Sequence, residues 1–339
     1  MRILYVSVIE LHAGWGAEWF INRSFQALGH STYCVDFRAH RFELLPLFAK
    51  APKCDVFFLQ RGDYFPKEII RSVQVPRFFW ASELVSRCRD QDRLLSSGLF
   101  DHIFFHSNEC LKTGIERGWV TPEMGSVLLN GFDETVFKPI ARAMKDIGVL
   151  FIGAMTKRRE QVLCELRKRI QVYSPQGFIS TEEMVNLMNR AKVVLNIHAD
   201  HFLDTETRVF EALGSGAFLL TETLSSESPF TEQELVQFTN LDDLDTKLGY
   251  YLEHDDERAR IAQRGHETAL REHTYTRRAQ FLVRTMEPFA SKGQTAKESV
   301  KVDWRLRLYG ANESVQKQLR RFSRDARSVL SGRHSSIKP

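Results

Sequence analysis

One pattern constrains this chain more than any other: short apolar stretches alternate with segments of helical periodicity, and the alternation runs through twice. That is how a parallel sheet with helices on both faces is written, so the fold class read from sequence is α/β. Arg2 to Val8 is a near-continuous apolar run, as a parallel strand buried on both faces requires. A glycine-containing loop (His12, Gly14, Gly16) follows, and then a helix ending near Gly29. Further strands are read at Ser31 to Phe37, Asp55 to Gln60, Arg77 to Trp80 and Asp101 to His106, with a helix running on to about Arg117. Ser126 to Leu129 leads into Asn130-Gly131-Phe132-Asp133, which has turn chemistry, and Lys138-Pro139 closes the half.

The pattern then restarts. Ile147 to Ile152 reads as a buried strand, Gly153 opens a loop, and a basic helix is expected from about Glu160 to Arg169. Gln171 to Tyr173 is a short strand. Ser180 with Glu183 forms a capping box that opens a helix through Ala191. Val193 to His198 is the next strand, Asp204 or Thr205 caps a helix ending at Gly214-Ser215-Gly216, and Ala217 to Thr221 is the strand after it. From Leu241 onward leucines and tyrosines recur at helical spacing. The expected division is a Rossmann-like domain over 1–138, a second over 139–290, and a basic tail over 291–339.

Composition narrows the function classes. Five scattered cysteines (Cys34, Cys54, Cys88, Cys110, Cys164) show no paired spacing, which speaks for small buried hydrophobes in a reducing compartment and against a disulfide framework or zinc site. Met1 to Glu10 reads as a first strand and not as a signal peptide, and no apolar run is long enough to span a bilayer. A cytoplasmic protein, with the inner face of the membrane in reach, is the expectation. The net charge of +4 is uneven: ten Lys/Arg against three Asp/Glu from Lys301 to Pro339 give +7, leaving −3 for the body. A body of that balance is no nucleic-acid binder.

In open parallel sheets, ligands bind on loops that leave the carboxyl ends of strands. Two such loops in the second half carry the right chemistry. The first holds Gly153 and then Lys157, Arg158 and Arg159; glycine admits close backbone approach and the cations suit a diphosphate. Its plain alternative is a solvated basic helix start. The second leads into Thr205, Glu206, Arg208 and Glu211; Arg208 and Glu211 share a helix face, and a carboxylate there can accept from ribose hydroxyls. A surface Arg–Glu pair explains the same two residues equally well. Gly214-Ser215-Gly216 is sufficiently explained as a helix end.

The run Arg208-Val209-Phe210-Glu211-Ala212-Leu213-Gly214-Ser215-Gly216-Ala217-Phe218-Leu219-Leu220-Thr221-Glu222 resembles the signature of CgeB-like, spore-maturation-protein-type glycosyltransferases, relatives of the retaining glycosyltransferase family four. The likeness continues through Glu234 to Phe238, Leu241 to Leu244, Gly265 and His273 to Tyr275; upstream, Leu129 to Asp133 with Phe137 to Pro139 resembles the superfamily's interdomain turn. It is specific over about residues 147–285 and loose over 1–138. What the resemblance implies is a GT-B fold, two Rossmann-like domains facing across a cleft, with the donor nucleotide on the second and the acceptor on the first. Glu211 matches the second glutamate of the family's pair, which holds the donor ribose; Leu203 stands where the first falls, and nearby Asp204 or Glu206 is the candidate to take its place. Lys157 or Arg158, and Arg208, match cations at the donor diphosphate. The implied reaction moves a sugar from a nucleoside-diphosphate donor to a glycan, lipid-linked or protein acceptor, with no metal or other cofactor and with retention of configuration.

In the first half, the His12–Gly16 loop is the expected lining under the donor sugar, or simply a tight turn. Glu83, just past a strand, is the carboxylate to test as a base if the reaction inverts, and His106 at another strand end is a second proton-handling candidate. His198 and His201 form no metal-ligand pattern with other residues. Ser291 to Ser299 reads as a polar linker. Val302, Trp304, Leu306 and Leu308 then alternate with charges ahead of a basic helix over 316–330 and a disordered end. The tail suits either a helix crossing back onto the first domain or peripheral contact with anionic lipid. A sugar-nucleotide epimerase and a catalytically inactive nucleotide-sugar-binding module are the alternative functions.

Overall fold

The computed structural model describes residues 1–86 and 89–332, apart from the side chains of residues 89 and 321–332. Cys88 and the end of the tail, expected to be disordered, lie outside the described residues. The chain divides into two compact units: residues 1–13, 26–127 and 283–339 form the first, and residues 14–25 and 128–282 the second.

In the first unit, β1 (Arg2–Ser7), β2 (Ser31–Asp36), β3 (Val56–Gln60), β4 (Arg77–Ala81), β5 (His102–Phe105) and β6 (Gly125–Val127) form a parallel sheet in the order β2-β1-β3-β4-β5-β6. Leu4, Val6, Phe57, Leu59, Phe79 and Phe105 are fully buried in one of its cores, which explains why these strands read as unbroken apolar runs. Four helices of this unit are α2 (Leu44–Ala49), α3 (Lys67–Ser72), α4 (Arg89–Leu95) and α5 (Asn108–Glu116). The sequence pattern singles out only α5, which Ser107 caps by accepting from the Cys110 amide. The three it misses have six or seven residues, too short for an apolar stripe to repeat.

In the second unit, β7 (Ile147–Phe151), β8 (Val172–Tyr173), β9 (Ala191–Asn196), β10 (Leu219–Glu222) and β11 (Val236–Phe238) form a second parallel sheet, in the order β11-β10-β9-β7-β8. Its helices are α6 (Lys157–Arg167), α7 (Thr181–Arg190), α8 (Thr207–Gly214), α9 (Leu241–Glu253) and α10 (Asp255–Glu272). The capping box at α7 forms as expected: Ser180 Oγ accepts from the Glu183 amide at 3.1 Å. The strand β11 is unanticipated, because three residues are too few to show an alternation.

Three segments cross between halves of the sequence. The first two turns of α1 (Ala17–Ala27) pack with the second unit, where Phe20 stacks on Tyr275 with ring centroids 6.0 Å apart. The helix α11 (Tyr275–Thr295) starts in the second unit and ends in the first, and α12 (Trp304–Gly332) belongs to the first. The compact units therefore do not divide at 138/139 and 290/291, and 291–299 is no linker. Helix α11 continues to Thr295, Ser299 Oγ accepts from the Cys54 amide at 2.6 Å, and Val300 pairs with Val73. Leu306, fully buried, fixes α12 to the core.

Candidate functional site

The strand order locates the site before any side chain is considered. In the second sheet the chain leaves β7 toward β8 on one side and continues through β9 on the other, so the order reverses between β7 and β9. At such a switch point the loops at the carboxyl ends diverge and leave room for a ligand. The two loops that diverge here, residues 152–156 and 197–206, are those marked out by sequence.

Helix α6 begins at Lys157, three residues earlier than the sequence suggests. Thr156 is its N-cap: Thr156 Oγ1 accepts from the Arg159 amide at 3.3 Å and donates to the Ala199 carbonyl at 3.0 Å. All three cations thus stand in the first turn, where the helix dipole opposes them, and two are held there by partners. Arg158 donates to both oxygens of Glu222, at 2.8 and 2.5 Å, and to the His198 carbonyl at 2.9 Å. The Glu222 hydrogen bonds raise the guanidinium's pKa. Arg159 is buried; it donates to the carbonyls of Ile197 (2.8 Å) and Ala154 (3.0 Å) and to Glu206 (3.0 Å). Burial, with Arg208 and Arg158 nearby, lowers its pKa against the pull of Glu206. Lys157 is exposed in the same turn, and Gly153 is exposed beside it, its Cα side facing the Arg159 guanidinium.

Glu206 is the N-cap residue of α8, and its side chain makes no cap bond. Neither Asp204 nor Thr205 is the N-cap of this helix; both are buried, three and two residues ahead of its first residue. The Glu206 carboxylate turns to Arg159 instead and accepts from the Ala199 amide at 3.3 Å. Burial pushes its pKa up, but His198, Arg159 and the Ala199 amide outweigh that and hold it below the ordinary value. His198 Nδ1 stands 3.9 Å from Glu206, too far for a direct hydrogen bond, while Nε2 meets the Thr223 carbonyl at 3.0 Å. Burial lowers the His198 pKa, and the Glu206 carboxylate, the Thr223 carbonyl and Glu222 together raise it by more.

One turn on, Arg208 Nη1 lies 2.7 Å from Glu211 and also against Met184 Sδ of α7, with its Nε buried and without a partner. Glu211 is buried on α8; burial raises its pKa and Arg208 offsets this only in part. The structure therefore gathers Gly153, Lys157, Arg158, Thr205, Glu206, Arg208 and Glu211 around one switch point. It commits Arg159, which the sequence offered as a diphosphate cation, to Glu206 and two carbonyls, and it adds Glu222 and His198; these three hold the two loops together. Glu222 closes the sequence signature, yet its role is visible only once β10 lies beside β9.

The remaining candidates lie elsewhere. Gly14 (φ +81°) sits in a conformation that favours glycine, and its carbonyl accepts from Thr181 Oγ1 at 2.8 Å. The Gly16 carbonyl accepts the first bond of α1, from Phe20 at 3.2 Å. His12 belongs to the first unit and Gly14 and Gly16 to the second. Glu83 and His106 follow the paired strands β4 and β5 of the first sheet; Glu83 Oε1 lies 3.9 Å from Arg61, and His106 is buried. No group of three or more metal-ligating side chains occurs among the described residues, and no helix among them is long and apolar enough to cross a membrane.

Residues 134–284, nearly the whole continuous part of the second unit, match the glycosyl transferase-like family model. Among solved structures, sucrose-phosphate synthase from Thermosynechococcus elongatus superposes with a TM-score of 0.65 at 12% identity, covering 86% of this chain and 99% of that one. Anabaena Alr3699/HepE in complex with UDP-glucose gives 0.61 at 14% identity, over 85% and 100%. A glycosyltransferase from Rickettsia africae gives 0.61 at 10%, over 87% and 99%. The fold is GT-B. No curated protein sequence matches the chain. The glycosyl transferase-like segment of this GT-B chain contains every residue of the β7/β9 cluster.

Proposed function

We propose that this GT-B protein is a glycosyltransferase that binds a nucleoside-diphosphate sugar at the β7/β9 switch point and passes the sugar to a glycan, lipid-linked or protein acceptor. The observation that carries the reading is that Lys157 and Arg158 open α6, and Arg208 and Glu211 lie on α8, the two helices that follow the switch-point loops within one glycosyl transferase-like segment. In it, Glu211 accepts from the ribose hydroxyls, which requires Arg208 to release part of its hold. Lys157 and the α6 amides meet the diphosphate, and Arg158 turns to it from Glu222. Charge developing on the leaving diphosphate is then neutralised by Lys157, Arg158 and the α6 amides, so the reaction proceeds without a metal ion. The resemblance to CgeB-like and family-four enzymes supports retention of configuration. Anabaena HepE has been captured with UDP and with UDP-glucose, which makes a UDP-hexose the first donor to try.

The test is a thermal-shift screen against UDP, GDP, dTDP, ADP and CMP. A diphosphate at a hundred times its dissociation constant stabilises the fold by about 2.7 kcal/mol. One nucleotide should raise the melting temperature of the parent and not of Glu211→Gln. Silence from all five sinks the donor-site assignment. With the donor known, NMR of the product anomer decides retention; an inverted product would make Glu83 the base to mutate, and His106 after it.

A further inference from the structure

Helix α12 has two faces with opposite properties. One is committed to the first unit: Leu306 is buried in the core, and the Glu313 carboxylate accepts from the Leu44 and Leu45 amides at 3.3 and 3.2 Å, at the start of α2. The other face carries Trp304 (68% exposed), Leu308 (65%), Val315 (53%) and Leu319 (62%). Spacings of four, seven and four residues put all four in one stripe along the helix. Large apolar side chains exposed singly need no explanation, but a contiguous stripe does. Beside it runs a groove of about 770 Å³ whose lining includes Glu68, Arg71, Trp304, Leu308 and Val315.

The charges around the stripe say what covers it. Between Lys301 and Arg320 there are five cations and two acids, Asp303 and Glu313; Lys317 pairs with Glu43 and Arg320 stacks on Phe42, which leaves Lys301, Arg305 and Arg307, all exposed. Both acids serve backbone amides, Asp303 that of Leu306 at 3.0 Å and Glu313 those of α2. Helical geometry places Arg305 on one flank of the stripe and Arg307 on the other, and both are exposed. A second copy of the same face would set arginine against arginine. An apolar stripe between cationic flanks is the form of a helix that lies in the headgroup layer of an anionic membrane.

We infer that the outer face of α12 docks on an anionic lipid surface, Trp304, Leu308, Val315 and Leu319 entering the interface and Arg305 and Arg307 meeting phosphate headgroups. The inference rests on α12 alone and stands whether or not the donor site is assigned correctly. It is tested by co-sedimenting the full chain with vesicles of phosphatidylcholine alone or mixed with phosphatidylglycerol. The parent should bind the mixed vesicles and not the neutral ones, with binding weakened by salt. Trp304→Ser with Leu308→Ser should reduce partitioning by about tenfold or more, and Arg305→Ser with Arg307→Ser by a similar factor. All four positions are exposed, so unchanged melting temperatures certify folding of the variants. The inference is overturned by absent binding to mixed vesicles, by variants that bind like the parent, or by light scattering that shows a parent dimer dissociated by the Trp304/Leu308 change.

Discussion

Two buried arrangements in the second unit both lose stability as pH falls, each through its own window. His273 packs against the rings of Phe210 and Phe230 and accepts at Nδ1 from Arg278 at 2.7 Å, so it must be neutral. Burial, with Arg278 next, lowers its pKa to about 3. A depressed base contributes full stability above the unfolded value of 6.5, and the contribution is lost as pH falls toward 3. At pH 5 the loss amounts to about 2 kcal/mol. Urea unfolding at pH 7 and pH 5 should show that decline in the parent and a flatter response in His273→Gln; equal slopes would refute the assignment. The pair Arg159–Glu206 behaves as a buried salt bridge whose partners are both close to fully covered. Glu206→Gln leaves the guanidinium uncompensated and should cost roughly 3 kcal/mol, read from the urea midpoint at neutral pH. The carboxylate's lowered pKa adds stability above its ordinary 4.5, and that stability is lost as pH falls through the lower folded value.

Between elements, α10 closely approaches the segment before β11. A methyl group added at Gly265 would lie 2.4 Å from the Glu234 carbonyl oxygen and 2.7 Å from a Leu213 methyl. Alanine at this helical position gains up to about 1 kcal/mol in propensity. The contact is with backbone, which cannot swing aside as a side-chain end can, so overpacking of about 1–3 kcal/mol should win. Gly265→Ala is expected to be destabilised in urea, and a variant as stable as the parent would show that α10 is free to shift. The same contact helps explain why a three-residue strand persists at β11: Thr268 of α10 donates to Glu234 at 2.9 Å and holds its approach. Local pattern shows the helix and its glycine, but not the partner, because that partner is 31 residues earlier in the chain.

At the scale of the molecule, the chain is stitched by its last segment. Ser299, Val300, Leu306 and Glu313 all bond or pack within the first unit, against residues more than two hundred positions earlier. Deleting residues 301–339 opens the Leu306 site and leaves the Leu44 and Leu45 amides without their carboxylate. Calorimetry should show a lower melting temperature for the truncated chain than for the full one. The proposed donor residues all lie outside the deleted segment, so the shift with nucleotide should survive in the truncated protein.

What the sequence determined by itself is everything with a local period or a local partner. The two α/β runs, most strand positions, the Ser180 cap, the glycine-bearing loops and the loops that carry the cations depend on side chains within a few residues of one another. Their physics survives without the rest of the chain. The tertiary structure alone decided the strand order that puts a switch point between β7 and β9, and with it which cations are already neutralised. Arg158 finds Glu222 64 residues away, and Arg159 finds Glu206 47 residues away. Such pairs leave no spacing signal, because their separation is set by how many residues the intervening strands and helices need. The tail follows the same logic: a basic amphipathic segment is legible, but which face is buried depends on the surface it meets, and only packing on α2 and α3 turns Leu306 inward and Trp304 out.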